Sequence, residues 1–458
     1  NSSRYRMQQC IIPRTLFCRG ENTMDKKIYD TYVRILKEEL VPALGCTEPI
    51  ALAYASAKAG ETLGTFPEHL TVACSGNIIK NVKGVTVPNS GGMKGVEAAA
   101  VLGLTGGDPG QALEVLETVR EEDISRTKEL INEGFCDCVL KEGTANLYIE
   151  ARAVCKDEEA LVVIENEHTN ITRIEKNGRV LYQKEKEETE VSEAPDQETV
   201  DKDLLNLEDI IAFADEVRME DVKNTLERQV KYNMKIADEG LKNPWGAQVG
   251  RVVLEEFGND VKWRAVAKAA AGSDARMSGC SLPVIINSGS GNQGMTCSLP
   301  VIEYGRALGK TEEEIYRALC VSNLTALNQK RYIGSLSAYC GAVCAAAGAG
   351  AGITYLHGGT LEQIENTVVN TIADAGGIVC DGAKPSCAAK ISTALQAAIL
   401  SHKMAMKGLT FGRGEGLVMD CPENTIKAVG YVGRAGMKQT DVEILNLMIG
   451  KTKLEEIS

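Results

Sequence analysis

Aromatic side chains are scarce in this sequence, at 5% of 458 residues, whereas glycine occurs 45 times. A core with so few rings has to be packed by close approach of backbones, which small residues permit. The hydrophobic share of 44% and the charged share of 25% are typical of a soluble globular protein. The length allows two or more domains, each with its own core.

Histidine, paired cysteine motifs and basic clusters are also scarce or missing. The four histidines show no metal-ligand spacing, so a histidine-based zinc site is not expected. The chain contains no C-x-x-C pair, which excludes a ferredoxin run and a zinc ribbon. The net charge is −13 with no basic block, which argues against nucleic-acid binding.

The 15 cysteines are odd in number and scattered, unlike the dense pattern of a secreted disulfide scaffold. We therefore expect reduced thiols and a cytoplasmic protein. Residues 1–23 carry arginines without a sustained apolar stretch, so we expect a disordered or artefactual leader there and a natural start at Met24. The apolar run 338–356 approaches transmembrane length, but its small residues predict a buried helix and no membrane partner.

Four cysteines lie among glycine, alanine and serine in the segment 334–391, namely Cys340, Cys344, Cys380 and Cys387. Cys340 and Cys344 are four residues apart and would share one face of a helix. Three thiolates from this segment could hold three irons of a [4Fe-4S] cluster and leave the fourth iron open. The alternative is that these thiols are buried and pack as small apolar side chains.

Several glycine-rich polar loops offer hydrogen-bond donors. In the turn 45–49 (GCTEP), Thr47 can cap the next helix, which would explain it fully in structural terms. The loop 286–294 (INSGSGNQG) matches neither a P-loop nor a Rossmann fingerprint, but at a helix N-terminus it would bind a carboxylate. The segment 75–92 could cradle an anion or form ordinary turns. Arg413 or Arg434 could pair with a carboxylate or lie at the surface.

These segments together resemble the L-cysteine desulfidase family, which is related to the alpha subunit of iron–sulfur-dependent L-serine dehydratase. The resemblance runs from about residue 24 to the C-terminus. It rests on LVPALGCTEP from Leu40, SGNIIKNVKGVTVPNSGG from Ser75, INSGSGNQG, CGAVCAAAGAGAGI and GGIVCDGAKPSCAAKI.

The resemblance implies a [4Fe-4S] cluster as cofactor and assigns residues to it and to the substrate. The cluster ligands would be Cys340, Cys380 and Cys387. The catalytic turn would comprise Cys46, Thr47 and Glu48, with Cys46 either ligating the cluster or acting in proton transfer. The residues expected around the substrate are Ser75, Asn77, Asn89, Ser288, Ser290, Asn292 and Gln293.

The function expected from this resemblance is α,β-elimination of L-cysteine to hydrogen sulfide, pyruvate and ammonia by an iron–sulfur-dependent lyase. No lysine is marked for a pyridoxal Schiff base. L-Serine dehydratase is one alternative, and a non-catalytic iron–sulfur sensor that binds an amino acid is another. A sensor would need a fourth protein ligand and no polar substrate loop. A homodimer is expected from the general frequency of such assemblies.

We expect an α+β fold. A small α/β-containing N-terminal domain would span residues 24–183, because strand-like alternation is concentrated there. A charged linker would follow at 184–203. An all-α C-terminal iron–sulfur domain would occupy 204–458, with the segment 272–276 between two of its helices.

Overall fold

The computed structural model describes residues 24–184, 201–334, 336–453 and 455. The predicted leader therefore lies outside the described residues, as does most of the predicted linker. The described cysteines are all free thiols, which agrees with the expectation of a reduced protein.

A six-stranded sheet dominates the first part of the chain. Its strands are β2 (His69–Cys74), β3 (Cys136–Leu140), β4 (Tyr148–Cys155), β5 (Glu158–Glu165), β6 (Ile171–Lys176) and β7 (Arg179–Gln183). Their order in the sheet is β3-β2-β4-β5-β6-β7, with β2 and β3 parallel and the other neighbours antiparallel. Alternating buried residues along β2 face the helices that cover one side of this sheet.

The helices of this part are α2 (Thr47–Leu63), α3 (Gly76–Lys83), α4 (Val96–Gly106) and α5 (Glu121–Asn132). Small residues bring α2 and α4 close together. A Cβ on Gly103 would lie 2.2 Å from the carbonyl oxygen of Ala53, so only glycine permits this approach. The buried alanines of both helices complete the core against the sheet.

The rest of the chain is almost entirely helical. Its helices are α6 (Leu207–Glu216), α7 (Met219–Lys242), α8 (Val249–Phe257), α9 (Val261–Met277), α10 (Gly291–Ala307), α11 (Glu312–Ile333), α12 (Gly341–Leu356), α13 (Leu361–Ala375), α14 (Cys387–Ala405), α15 (Pro422–Tyr431) and α16 (Lys438–Met448). The helix α12 lies at the centre, and a Cβ on Gly348 would lie 2.4 Å from the carbonyl oxygen of Ser322 on α11. Close helix contacts thus replace aromatic packing, as the composition indicates.

The first elements of the chain pack with this helical part. Buried residues of α1 (Lys26–Glu39) belong to the same core as α6, α7 and α11. The short strand β1 (Pro42–Leu44) pairs antiparallel with β8 (Pro283–Ile285), and the amide of Ile286 donates to the carbonyl of Val41 (3.0 Å). This pairing sets the turn at residues 45–49 beside the loop at 286–294.

The predicted α+β class, with a sheet in the N-terminal part and helices after it, is confirmed. One local expectation was wrong. The segment 272–276 is not a connection between helices but belongs to the last turns of α9, whose buried residues continue through it. A short 3-10 helix, Pro109–Glu114, has a kink at Ala112. Among the described residues, no helix is long and apolar enough to span a membrane.

The helix α16 packs against α3, and an ion pair joins them. The ammonium of Lys80 is 1% exposed and pairs with Asp441, while Leu445 lies over Gly76. The carbonyl of Lys80 in turn lies so close to Gly382 that a Cβ there would be 2.3 Å away. The C-terminal helix therefore supports α3, and α3 supports the loop that carries Cys380.

We predict that Asp441→Asn lowers the free energy of unfolding by about 3 kcal/mol, because it leaves the buried Lys80 ammonium without its partner. Urea denaturation of the full chain measures this change. The matched control is Glu142→Gln, which removes the exposed pair of Glu142 with Lys451 and should leave the midpoint unchanged. Equal midpoints for both variants would contradict the assigned role of the Lys80–Asp441 pair.

Candidate active site

Four helices begin at the wall of one cavity of about 520 Å³. The helix α2 begins at Thr47, α10 at Gly291, α12 at Gly341 and α14 at Cys387, and residues of each first turn or cap line the cavity. The free N–H groups and the dipole at a helix start favour negative charge. The volume is within the range of about 300–1,000 Å³ that small-molecule sites occupy. The cavity is therefore suited to small anionic ligands.

The three predicted cluster ligands all line this cavity. Cys340 caps α12, and its amide donates to the carbonyl of Ile378 (3.1 Å). The amide of Cys380 donates back to the carbonyl of Ala338 (2.6 Å). These two bonds hold Cys340 and Cys380 on facing segments.

Cys387 is the first residue of α14 and ends the loop that starts at Cys380. Asp381 holds this loop, since it accepts hydrogen bonds from Lys384 (2.5 Å) and Lys390. Partial burial favours the protonated acid, but the two ammonium groups outweigh it and lower the pKa of Asp381 to about 2. The loop is thus fixed by charge pairs within itself.

The thiols are close enough to influence one another. Burial raises the pKa of Cys340 to about 12, and the charges of Cys380 and Cys387 contribute to that rise. The ammonium of Lys330 also lies among these cysteines, where burial lowers its pKa and the thiols of Cys344, Cys380 and Cys340 oppose that shift. Lys330 is a site residue that the sequence did not indicate.

Cys344 lies one turn further along α12 and is not among the described residues that line the cavity. Its side chain is 1% exposed, and its carbonyl accepts a hydrogen bond from Gln329 (3.3 Å). The structure thus places Cys340, rather than Cys344, at the cavity.

The turn at 45–49 forms a second wall. The thiol of Cys46 donates to Glu48 Oε2 (3.0 Å), Asn81 donates to Glu48 Oε1 (3.2 Å), and Thr47 donates to the carbonyl of Gly289 (2.9 Å). Burial opposes ionisation of Glu48, but the hydrogen bond from Cys46, the charge of Arg276 and other favourable interactions outweigh it and lower the pKa of Glu48. Burial raises the pKa of the Cys46 thiol well above its usual value, so this thiol is a proton donor to Glu48.

His168 and Arg276 complete this wall, and the sequence analysis missed both. His168 lies in the turn between β5 and β6. Its sequence neighbours give no sign of a role, because the cavity residues near it are distant in the chain. Burial lowers its pKa, and its Nε2 atom is buried without a hydrogen-bond partner among the described residues. The Nη1 atom of Arg276 donates to Asn292 Oδ1 (3.1 Å), while its Nε is buried and unpartnered.

Arg276 lines the cavity, whereas Arg413 and Arg434, which we considered for pairing with a carboxylate, are exposed and do not line it. The sequence signal that could have indicated Arg276 is its position two residues after Asp274 in an alanine-rich helix. A charge on such a helix is unusual unless it faces a partner or a polar cavity.

The loop at 286–294 lies between the cysteines and the turn at 45–49, and its predicted residues Ser288, Ser290, Asn292 and Gln293 all line the cavity. Ser290 caps α10. The side-chain amide of Gln293 packs so tightly against Gly341 that a Cβ there would lie 2.6 Å away, and its Oε1 atom is buried and unpartnered. A buried carbonyl oxygen without a partner indicates a missing donor.

The remaining predicted substrate residues lie elsewhere. Ser75 donates to the carbonyl of Asn146 (2.7 Å), and Asn89 donates to the carbonyl of Leu116 (2.9 Å). Neither of these residues nor Asn77 is among the described residues that line the cavity. The glycines and amides of 75–92 form a helix cap and turns. This is the second of the two interpretations that we considered, the first being an anion-binding loop.

The comparison with known families covers most of the residues that line the cavity. The family model described as serine dehydratase alpha chain matches residues 110–446. The chain belongs to the serine dehydratase alpha chain family. The matched residues of this chain include His168, Arg276, the loop at 286–294 and the three cysteines that line the cavity. The turn at 45–49 lies outside the matched residues. The predicted relation to this family is confirmed.

Curated relatives extend the likeness to most of the chain. The UPF0597 protein of Lachnoclostridium phytofermentans is 54% identical over 422 residues, covering 92% of this chain and 100% of the relative. The corresponding proteins of Desulfitobacterium hafniense and Finegoldia magna are 50% and 47% identical, covering 93% and 92% of this chain and 98% and 99% of the relatives. These names state no activity.

We predict that iodoacetamide modifies Cys380 at least about tenfold faster than Cys344 in the native, reduced, metal-free protein. Cys380 is partly exposed at the cavity, whereas Cys344 is enclosed and reacts only when the structure opens locally. Mass spectrometry of tryptic peptides over time measures both rates. Equal rates in the native protein would contradict this placement, and equal rates in urea serve as the control.

Proposed function

We propose that this protein is an iron–sulfur-dependent lyase that catalyses α,β-elimination of L-cysteine to sulfide, pyruvate and ammonia. Its membership of the serine dehydratase alpha chain family supports a lyase acting on a small amino acid. The observation that carries the proposal is the shared cavity. Three cysteines line it together with residues that carry buried polar atoms without partners, namely His168, Arg276 and Gln293.

The donor set fits a cluster better than a single metal ion. Among the described residues, no group of three or more histidine, cysteine or acidic side chains converges closely enough to hold one ion. Cys340, Cys380 and Cys387 instead line a common space, with Lys330 beside them. Thiolates that each bind a different iron are spread around a cluster in this way. When bound, a [4Fe-4S] cluster with three protein ligands would supply one open iron as a Lewis acid.

The protein's own residues would orient the substrate. The unpartnered face of the Arg276 guanidinium can bind the substrate carboxylate, assisted by the start of α10. The unpartnered Oε1 of Gln293 can accept a hydrogen bond from the amino group. This orientation directs the β-substituent toward the cysteines.

His168 is the proposed base for the α-proton. Its lowered pKa leaves a neutral imidazole with an acceptor nitrogen at neutral pH, whereas Glu48 already accepts hydrogen bonds from Cys46 and Asn81. Loss of the proton from Cα leaves an electron pair that forms the Cα=Cβ bond, and the Cβ–S bond breaks with its pair on sulfur. The resulting aminoacrylate tautomerises to an imine, which water hydrolyses to pyruvate and ammonia.

L-Serine is the second candidate substrate, because the matching family model is that of a serine dehydratase. The α-proton would leave in the same way, and the hydroxyl group would depart as water in place of sulfide. Pyruvate and ammonia are formed from either substrate, so only the leaving group separates the two reactions.

The deciding assay uses protein purified and reconstituted with iron and sulfide without oxygen. We expect the wild-type protein to absorb at about 400 nm and to release equal amounts of sulfide and pyruvate from L-cysteine. The variant His168→Asn should retain the absorption but lose turnover. Pyruvate from L-serine with no sulfide from L-cysteine would move the assignment to serine dehydratase. A reconstituted protein without iron would overturn the proposal.

A pair of variants on α12 tests the ligand set independently of turnover. We expect Cys340→Ala to lose most of the bound iron after desalting and Cys344→Ala to retain the wild-type amount. The reason is that Cys340 lines the cavity, whereas Cys344 is not among its described lining residues. Iron and acid-labile sulfide are measured per chain. The reverse result would mean that Cys344 is the ligand, and equal retention by both variants would remove α12 from the cluster site.

A further inference from the structure

Lys330 lies in the last turn of α11, at the wall of the cavity, and is 7% exposed. Its neighbours are the thiols of Cys340, Cys344 and Cys380. Among the described residues, no carboxylate lies within ion-pair distance of its ammonium. A cation in this position has little access to water and has no conventional partner among the described residues.

Several other lysines with little exposure are paired with carboxylates. Lys80 pairs with Asp441, and Lys268 pairs with Glu303 (2.7 Å). Lys384 and Lys390, which flank the cysteine loop, both pair with Asp381. Lys330 therefore differs from these lysines, because the described groups near it that could carry a negative charge are thiols.

Burying an unpaired charge is strongly unfavourable, and such charges are normally paired or bound to a ligand. The missing anion has to lie in the cavity, since that is the side to which Lys330 is exposed. The substrate carboxylate is already provided for by Arg276 at the wall formed by Glu48 and Asn292. What lies next to Lys330 is the set of cysteines.

We propose that Lys330 neutralises the anionic iron–sulfur centre held by Cys340, Cys380 and Cys387, and thereby sets how firmly this centre is held and at what potential it is reduced. This inference rests on the proposed iron–sulfur function. Lys330 acts through the thiolates and is a positioning residue, not a group that reacts with substrate. Its positive charge favours the reduced, more negative state of the centre.

The test compares the wild-type full chain with Lys330→Met and Lys330→Arg, each in the metal-free and the reconstituted form. Methionine keeps the approximate length of the side chain without its charge. Metal-free Lys330→Met should melt at a higher temperature than wild type, since an unpaired buried charge is removed. After reconstitution it should lose iron to a chelator about tenfold faster. Its midpoint potential should be more negative, by about 59 mV for each tenfold loss of preference for the reduced state.

The control is Lys268→Met, which removes a partly buried lysine that has a carboxylate partner outside the cavity. It should lower the melting temperature of the metal-free protein and leave both iron release and the midpoint potential unchanged. Lys330→Arg should keep the potential close to that of wild type because the charge is retained.

The outcomes separate this inference from the proposed function. If wild type binds the cluster and Lys330→Met matches it in iron release and potential, the role of Lys330 is overturned while the lyase proposal stands. The same holds if only the Michaelis constant for the amino acid changes, which would assign Lys330 to the substrate carboxylate. If wild type takes up no iron, the proposed function fails and the role of Lys330 fails with it.

Discussion

The convergence of four helix starts on one cavity is the constraint on which the rest of this structure depends. Each start brings free N–H groups and a partial positive charge to the same space, and Arg276 and Lys330 add full charges. Such a cavity is unfavourable when it is empty of anions, because buried polar groups then lack partners. Among the groups at the cavity, Glu48 has a lowered pKa and is the anion that this environment stabilises.

Bringing these helices together requires very small residues at their contacts. The helix α12 is surrounded by α10, α11, α13 and α14, and its glycines and alanines let the backbones approach closely. Gly341 has an additional role, because a side chain there would displace the amide of Gln293. The scarcity of aromatic residues is thus a consequence of the architecture: large rings in these contacts would separate the helix starts that form the cavity.

The parts of the site that were predictable are those with a local signal. Glycines near the cysteines and in the SGSGNQG loop mark a backbone that must turn before a helix. Cys340, Cys387 and Ser290 lie at such helix starts, and Cys380 lies in the loop before α14. His168 could not be predicted, because it reaches the cavity from a turn between two strands of the sheet. Its place depends on how that turn packs against Gly289, where an added Cβ would lie 3.2 Å from the His168 ring.

The same reasoning explains the residues that were assigned to the cavity but lie outside it. Ser75 and Asn89 have the glycine neighbours and polar groups of a binding loop, yet their side chains donate to the backbone carbonyls of Asn146 and Leu116, away from the cavity. A motif shows that a backbone turns and what it could donate, but it does not show the direction in which the turn faces. The fold class was predictable for the opposite reason, since periodicity and composition are summed over many residues.

The most direct measurement of the central claim is a Mössbauer spectrum of protein reconstituted with ⁵⁷Fe, recorded with and without L-cysteine. A cluster held by three thiolates has one iron without a protein ligand, so one quarter of the iron signal should change when the amino acid binds. A spectrum in which substrate leaves all irons unchanged would contradict the account, because it would mean that the cavity holds no open iron site next to the substrate.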